Sequence, residues 1–159
     1  MIFVTLGTQD KPFTRLLKKI DDEIKNGNID DEVIVQGGCT KIDTDRMTIF
    51  NQVSQQEFEE YIDKCDILLT HAGVGSIITG LKYSKKVVAV PRLAKYGEAA
   101  NDHQIQLVEN FSQEGYILGV NDLDNLSKIL KDSKKFKPKK YVSNTEHFIE
   151  QLVDYIEKA

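Results

Sequence analysis

The stretch that most constrains the fold of this sequence is Asp66–Arg92, DILLTHAGVGSIITGLKYSKKVVAVPR. A continuous apolar run, Ile67-Leu68-Leu69, leads into Thr70-His71 and then a turn of small residues, Ala72-Gly73-Val74-Gly75-Ser76. Ile77, Ile78 and Leu81 follow at helical spacing, and a second apolar run, Val87-Val88-Ala89-Val90, ends at Pro91. Strand, glycine turn, helix and strand in that order make one right-handed βαβ unit with parallel strands. The turn falls where a strand's carboxyl end meets a helix's amino end. Unpaired backbone N–H groups and the positive end of the helix dipole suit an anion there. A strand–helix turn that needs small residues only for packing has the same pattern, and spacing alone leaves both readings open.

The rest of the chain repeats this alternation. Ile2–Leu6 is a β-rich apolar run closed by Gly7-Thr8-Gln9. Asp10 and Pro12 then predict a helix start, and Phe13, Leu16, Leu17, Ile20 and Ile24 lie on one helical face. Val33–Val35 is a second strand, ending in Gly37-Gly38, and Met47–Phe50 is a third. Ser54 with Glu57 three residues later reads as a capping box. After Pro91 a polar loop enters a helix containing Ile105, Leu107, Val108 and Phe111, and Tyr116–Leu118 is expected as the last strand. A small helix around Leu123–Leu130, a lysine-rich link through Pro138 and a terminal helix over Thr145–Lys158 complete the chain. Continuous apolar strands alternating with helices define an α/β, Rossmann-like, mostly parallel sheet with helices on both faces. Ligands of such sheets bind beyond the carboxyl ends of the strands, so the turns at Gly7, Gly37-Gly38 and Gly73–Gly75 should share one rim.

Several chemistries are absent from the rim residues. The turn lacks the Gly-Lys-Ser/Thr ending of a P-loop. A dinucleotide fingerprint is also incomplete, because Ile78 stands where the third glycine belongs. Asn101-Asp102-His103-Gln104 concentrates carboxylate, imidazole and amide at a helix start. That set suits sugar hydroxyls, or caps the helix in the ordinary way. His71 reads as a base, a phosphate donor or a histidine bonded within its own loop. No serine sits in an elbow motif, and the spacing of His71, Asp102 and His103 is not diagnostic of zinc.

Composition narrows the class. The 159 residues suit one domain over 1–159, and 40% hydrophobic with 29% charged residues indicates a globular protein. A net charge of −4 argues against a nucleic-acid partner. Cys39 and Cys65 read as thiols of a reducing compartment, and the apolar start is too short for a signal peptide, so a cytoplasmic protein is expected. The basic link Lys134–Lys140 reads as solvated surface or as a contact for anionic lipid headgroups.

Taken together, Thr70-His71-Ala72-Gly73-Val74-Gly75-Ser76, Pro91-Arg92, Lys95-Tyr96-Gly97-Glu98 and Asn101-Asp102-His103-Gln104 resemble the carboxyl-terminal, donor-binding half of family 28 glycosyltransferases. The chain is most similar to small stand-alone members, the Alg13-like subunits and the PssE/CpsG-type proteins of bacterial capsule and exopolysaccharide synthesis. The resemblance implies a GT-B half-enzyme that binds a UDP-sugar. It places Gly7 and Thr8 beside the cleft, and Gly73, Gly75 and Ser76 at the diphosphate with His71 nearby. It also places Gln36 to Gly38 near the uracil, and Asn101, Asp102 and Gln104 at the donor sugar. MurG-like members hold the ribose with a glutamate on the helix after the turn, and Thr79 matches that position here. The implied activity is inverting transfer from UDP-galactose to a lipid-linked saccharide, with N-acetylglucosamine as the alternative sugar. Phosphate contacts from backbone and hydroxyl groups call for no cofactor and no metal. A single domain would need the other wall of the cleft from a membrane-anchored Alg14-like, PssD- or CpsF-type subunit. That subunit would supply the catalytic base, carry the protein to the inner face of the membrane, and receive the terminal helix at about 144–159. A nucleotide-sugar epimerase or hydrolase, and a non-catalytic nucleotide-sugar-binding regulatory subunit, are the competing readings.

Overall fold

Each apolar run becomes a strand of one six-stranded, wholly parallel sheet in the computed structural model, which describes residues 1–7 and 10–140. The strands are β1 (Ile2–Thr5), β2 (Val33–Gln36), β3 (Thr48–Phe50), β4 (Ile67–Thr70), β5 (Lys86–Ala89) and β6 (Leu118–Gly119). The helices are α1 (Thr14–Lys25), α2 (Gln55–Lys64), α3 (Val74–Lys82), α4 (His103–Gln113) and α5 (Leu126–Ser133). The spatial order is β3-β2-β1-β4-β5-β6. Connections run one way from β1 to β2 and the other way from β4 to β5, so the sheet reverses between β1 and β4. An open parallel sheet leaves a crevice at that reversal, outside the strand ends.

Alternation along each strand divides the core into two layers. Ile2, Val4, Val33, Val35, Ile67 and Leu69 pack with Leu16, Leu17 and Ile20 of α1 and Leu126 and Leu130 of α5. Phe3, Ile34, Leu68, Val87 and Ala89 face the opposite layer, formed by Ile62 of α2, Ile77 and Leu81 of α3, and Leu107, Val108 and Phe111 of α4. Each fully buried side chain of this kind contributes about 1.5–3 kcal/mol.

Three departures from the expected boundaries have a clear local cause. Asp10 and Pro12 lie before the first helix. Phe13 is the N-cap of α1, has no side-chain capping bond, and is itself fully buried. Its amide donates to Thr40 Oγ1 at 2.9 Å, so burial of the ring sets where the helix begins. Val90 is not part of the β5 ladder, although its amide still reaches the Thr70 carbonyl at 2.9 Å. The last strand is Leu118–Gly119 instead of Tyr116–Leu118, because the Tyr116 amide folds back to the Phe111 carbonyl at 3.1 Å and closes the end of α4. The Ser54–Glu57 capping box of α2 is present. Thr8 and the terminal helix lie outside the described residues.

Candidate functional site

The final residues of the strands form one row across the sheet: Phe50, Gln36, Thr5, Thr70, Ala89 and Gly119 are successive partners in the register. Polar side chains occupy the middle of the row, and all three are buried. Thr5 Oγ1 donates to Gln36 Oε1 at 2.9 Å, and Gln36 Nε2 donates to the carbonyls of Gly7 and Asn51, each at 3.2 Å. This amide ties the turn after β1 to the turn after β3. Above it lies a cavity of about 250 Å³, walled by Thr5, Gly7, Gln36, Gln52, Val53, Phe58 and Ser76.

Gly37 and Gly38 belong to the same connection but have few groups to offer a ligand. Their amides donate to the carbonyls of Phe50 and Asn51 at 2.8 Å, and the Gly37 carbonyl accepts from Thr40 N at 2.9 Å. Their smallness serves packing, since a Cβ on Gly38 would lie 2.8 Å from the Gly7 carbonyl oxygen.

His71 follows β4 and is buried. Its imidazole fills the space between two glycines: a Cβ on Gly7 would come within 2.7 Å of Nε2, and one on Gly73 within 2.6 Å. Ala72 between His71 and Gly73 holds φ 71°, a left-handed conformation uncommon for a residue with a side chain, and it is buried. That kink carries the chain from β4 straight into α3. Burial, and then the charge of Arg92, lower the His71 pKa to about 4, so the ring is neutral at pH 7.

Helix α3 starts with Gly73 as N-cap, a residue with no side chain to serve the first amides. The Ile77 amide is the first to return to the Gly73 carbonyl, at 3.1 Å. The amides of Val74, Gly75 and Ser76 have no acceptor among the described residues, and neither does the Ser76 hydroxyl. A Cβ on Gly75 would meet nothing within 4 Å among the described residues, which leave this helix end open. Thr79 Oγ1 donates to the Gly75 carbonyl at 2.8 Å, which commits its proton to the helix and leaves its lone pairs.

The second cluster, Asn101 to Gln104, is held on the loop after β5. Gln104 Oε1 accepts from Arg92 N at 3.0 Å, which leaves its NH₂ group to donate. Asp102 is the N-cap residue of α4, but its Oδ1 accepts from Ala94 N at 2.9 Å and makes no capping bond. Asn101 Oδ1 accepts from His103 N at 3.1 Å. Asp102 lines a second cavity of about 260 Å³ with Pro91, Leu93, Lys95, Ile105 and Asn121.

Gly7, Gly38, His71, Gly73 and Ser76 are therefore gathered around the crevice, whereas Asp102 belongs to a neighbouring cavity toward β5 and β6. Gln52, Val53 and Phe58, which wall the first cavity, match no motif. The only local sign of that wall is a glutamine closing the apolar run of β2. Among the described residues no group of three or more His, Cys, Asp or Glu is placed to hold a metal ion. No described helix is long and apolar enough to cross a membrane.

Comparison with known proteins agrees with this architecture. The sequence pattern of the glycosyltransferase family 28 C-terminal domain matches residues 1–158. The protein TOPLESS of Arabidopsis thaliana is 32% identical over 117 residues, 64% of this chain and 10% of that protein, so the chain spans about a tenth of such relatives. The UDP-N-acetylglucosamine transferase subunit ALG13 of Candida glabrata is 36% identical over 56 residues, 35% of this chain and 26% of that protein. The solution structure of ALG13 superposes with a TM-score of 0.63 at 22% identity, covering 98% of this chain and 96% of that one. MurG of Acinetobacter baumannii gives 0.58 at 14% identity, covering 98% of this chain but 49% of that one. The fold is thus shared with GT-B glycosyltransferases, and the match over nearly the whole length places this chain in glycosyltransferase family 28, as a C-terminal domain of that family.

Proposed function

We propose that the chain is the UDP-sugar-binding part of an inverting hexosyltransferase that extends a lipid-linked saccharide in capsule or exopolysaccharide synthesis. The observation that carries this reading is the open amino end of α3. Three amides without an acceptor among the described residues lie there together with the Ser76 hydroxyl, and the neutral His71 ring is alongside. As the bond from sugar to phosphate breaks, negative charge grows on the departing UDP. Donors already fixed in place stabilise that charge without reorganising, an effect worth about 3–4 kcal/mol per well-placed donor. The acceptor hydroxyl attacks the anomeric carbon from the face opposite the diphosphate.

The positions of the two cavities suit the two ends of the donor. The nucleoside occupies the cavity beside Gln36, Gln52 and Phe58, on the β1–β2 side of α3. The sugar extends toward Asp102 and the Gln104 amide, on the β5–β6 side. Thr79 accepts a hydrogen bond from a ribose hydroxyl through a remaining lone pair, doing with one oxygen what a carboxylate does with two. The catalytic base and the acceptor wall come from a membrane-anchored, Alg14-like partner, which brings this chain to the membrane. ALG13 is itself named as a subunit, which supports that arrangement.

Galactose is the sugar read from the Val74–Gly80 segment. The name of the ALG13 relative favours N-acetylglucosamine as the second reading. Calorimetric titration of the chain with UDP, UDP-galactose, UDP-N-acetylglucosamine and ADP tests both. UDP should bind and ADP should not, and the tighter of the two sugar nucleotides identifies the donor. Ser76→Ala should weaken UDP by about tenfold, the worth of one hydrogen bond to a charged group. A chain that binds no uridine nucleotide removes this reading.

A further inference from the structure

Arg92 heads the large side chains wholly enclosed by the protein, at 1% exposure. Its guanidinium donates to three main-chain carbonyls: Leu6 at 2.7 Å, Lys11 at 2.7 Å and Glu98 at 3.1 Å. Of the two N–H groups left over, the one on Nε lies 3.3 Å from His71 Nδ1, and the group sits 5.2 Å from the centre of the Phe13 ring. Among the described residues no carboxylate bonds to it. The nearest, Glu98, is turned away to Arg15 at 3.0 and 2.9 Å and to the Leu93 amide at 3.1 Å. A buried guanidinium held by carbonyls and an imidazole keeps its positive charge undiminished by a counter-ion in contact. Enclosing such a charge costs several kcal/mol, so the arrangement calls for a purpose.

We propose that Arg92 is a positioning residue that holds His71 as the Nε2–H tautomer and aims a polarised N–H, through the gap between Gly7 and Gly73, at the anion bound by the amino end of α3. The proposal rests on reading that helix end as the diphosphate site. A guanidinium has five donors and no lone pair to accept with. Facing Arg92 Nε, His71 Nδ1 can therefore only accept, and in the neutral ring the proton resides on Nε2. That atom has no acceptor among the described residues, and its surroundings are the two glycines whose missing side chains leave it room. Donation from a cation into Nδ1 draws electron density from the ring and strengthens the N–H on the far side, since linked hydrogen bonds polarise one another. The positive charge of an inaccessible arginine is thereby felt at the rim without its side chain reaching the ligand. The lone pair that a general base would use is already engaged, and a second positive charge beside Arg92 is disfavoured. His71 thus serves as a donor.

Imidazole ¹⁵N NMR on the full chain tests this, with wild type, Arg92→Lys and Arg92→Met, each alone and with UDP. Arg92→Lys keeps the charge but has one compact ammonium, which cannot reach four acceptors in fixed directions. Wild-type His71 should show only the Nε2–H tautomer between pH 5.5 and 8, and its Nε2–H resonance should move on adding UDP. Arg92→Lys should show mixed tautomers, a titration in the ordinary imidazole range and UDP affinity lowered by about tenfold. An Nδ1–H or mixed tautomer in the wild type overturns the role of Arg92. So does a folded Arg92→Lys or Arg92→Met chain with unchanged tautomer and affinity. Where neither variant folds, the wild-type tautomer and its response to UDP decide. Wrong tautomer with UDP bound defeats this proposal alone, whereas correct tautomer without UDP binding defeats the diphosphate reading and the anion with it.

Discussion

His71 and Arg92 show how much one contact can decide about two residues. The His71 pKa of about 4 lies below the 6.5 of an unfolded chain. Between those values the unfolded chain binds a proton that the folded chain refuses, so stability rises with pH from about 4 to 6.5 and is level above. That difference is worth at most about 3 kcal/mol. Urea midpoints at pH 4.5 and 7 should differ accordingly, and the difference should shrink in His71→Gln. Carboxylates held low, such as Asp66 against the N-terminal ammonium, lose their contribution only below the ordinary carboxylate range. None of this coupling is written near either residue. A histidine after an apolar run is visible in sequence as a candidate, and Pro91-Arg92 is visible as part of the family resemblance, but nothing beside Arg92 in the sequence marks it as buried. Its enclosure depends on carbonyls of Leu6 and Lys11, some 80 residues earlier.

Helix α3 combines two glycines with opposite requirements. Gly73 is pressed against the imidazole, while Gly75 has no neighbour for a side chain among the described residues. An alanine suits a helix better than glycine by about 1 kcal/mol. Gly75→Ala should therefore raise the urea midpoint while its new methyl group, standing at the proposed diphosphate site, lowers UDP affinity by tenfold or more. Calorimetry and unfolding on the same sample separate the two effects. A change that stabilises the fold and impairs binding marks the position as kept for the ligand. The helix itself was plain in the sequence, as were its strands and the capping box of α2, because each rests on residues within a few positions of one another. The start of α1 was not, since Phe13 is fixed by Thr40 and the core more than by Asp10 or Pro12. The same holds for Asn101 to Gln104: their types suggested sugar contacts, but only the folded loop shows that Gln104 has one end spent on Arg92 and the other without a partner among the described residues.

At the scale of the molecule, the loop after β5 is clasped to the first helix. Arg15 grips Glu98 through two hydrogen bonds, and Glu98 is nearly enclosed. Removing the carboxylate in Glu98→Ala strands Arg15 and the Leu93 amide, and should cost about 3 kcal/mol. Urea unfolding measures the loss, and hydrogen exchange over 91–102 should accelerate with it, since the clasp orders the loop that carries Asp102. Strand order has a consequence of a different kind, for how the chain is made. β1 leaves the ribosome before the other five strands yet lies at the centre of the sheet, with Ile2 paired to Val33 on one side and Ile67 on the other. At about 5–20 residues per second, β1 and β2 wait several seconds for β4. Meanwhile an apolar strand edge is open to any other nascent chain. Slow synonymous codons over 37–66 should therefore reduce the soluble yield of this protein, while the same codons placed after β6 should leave it unchanged.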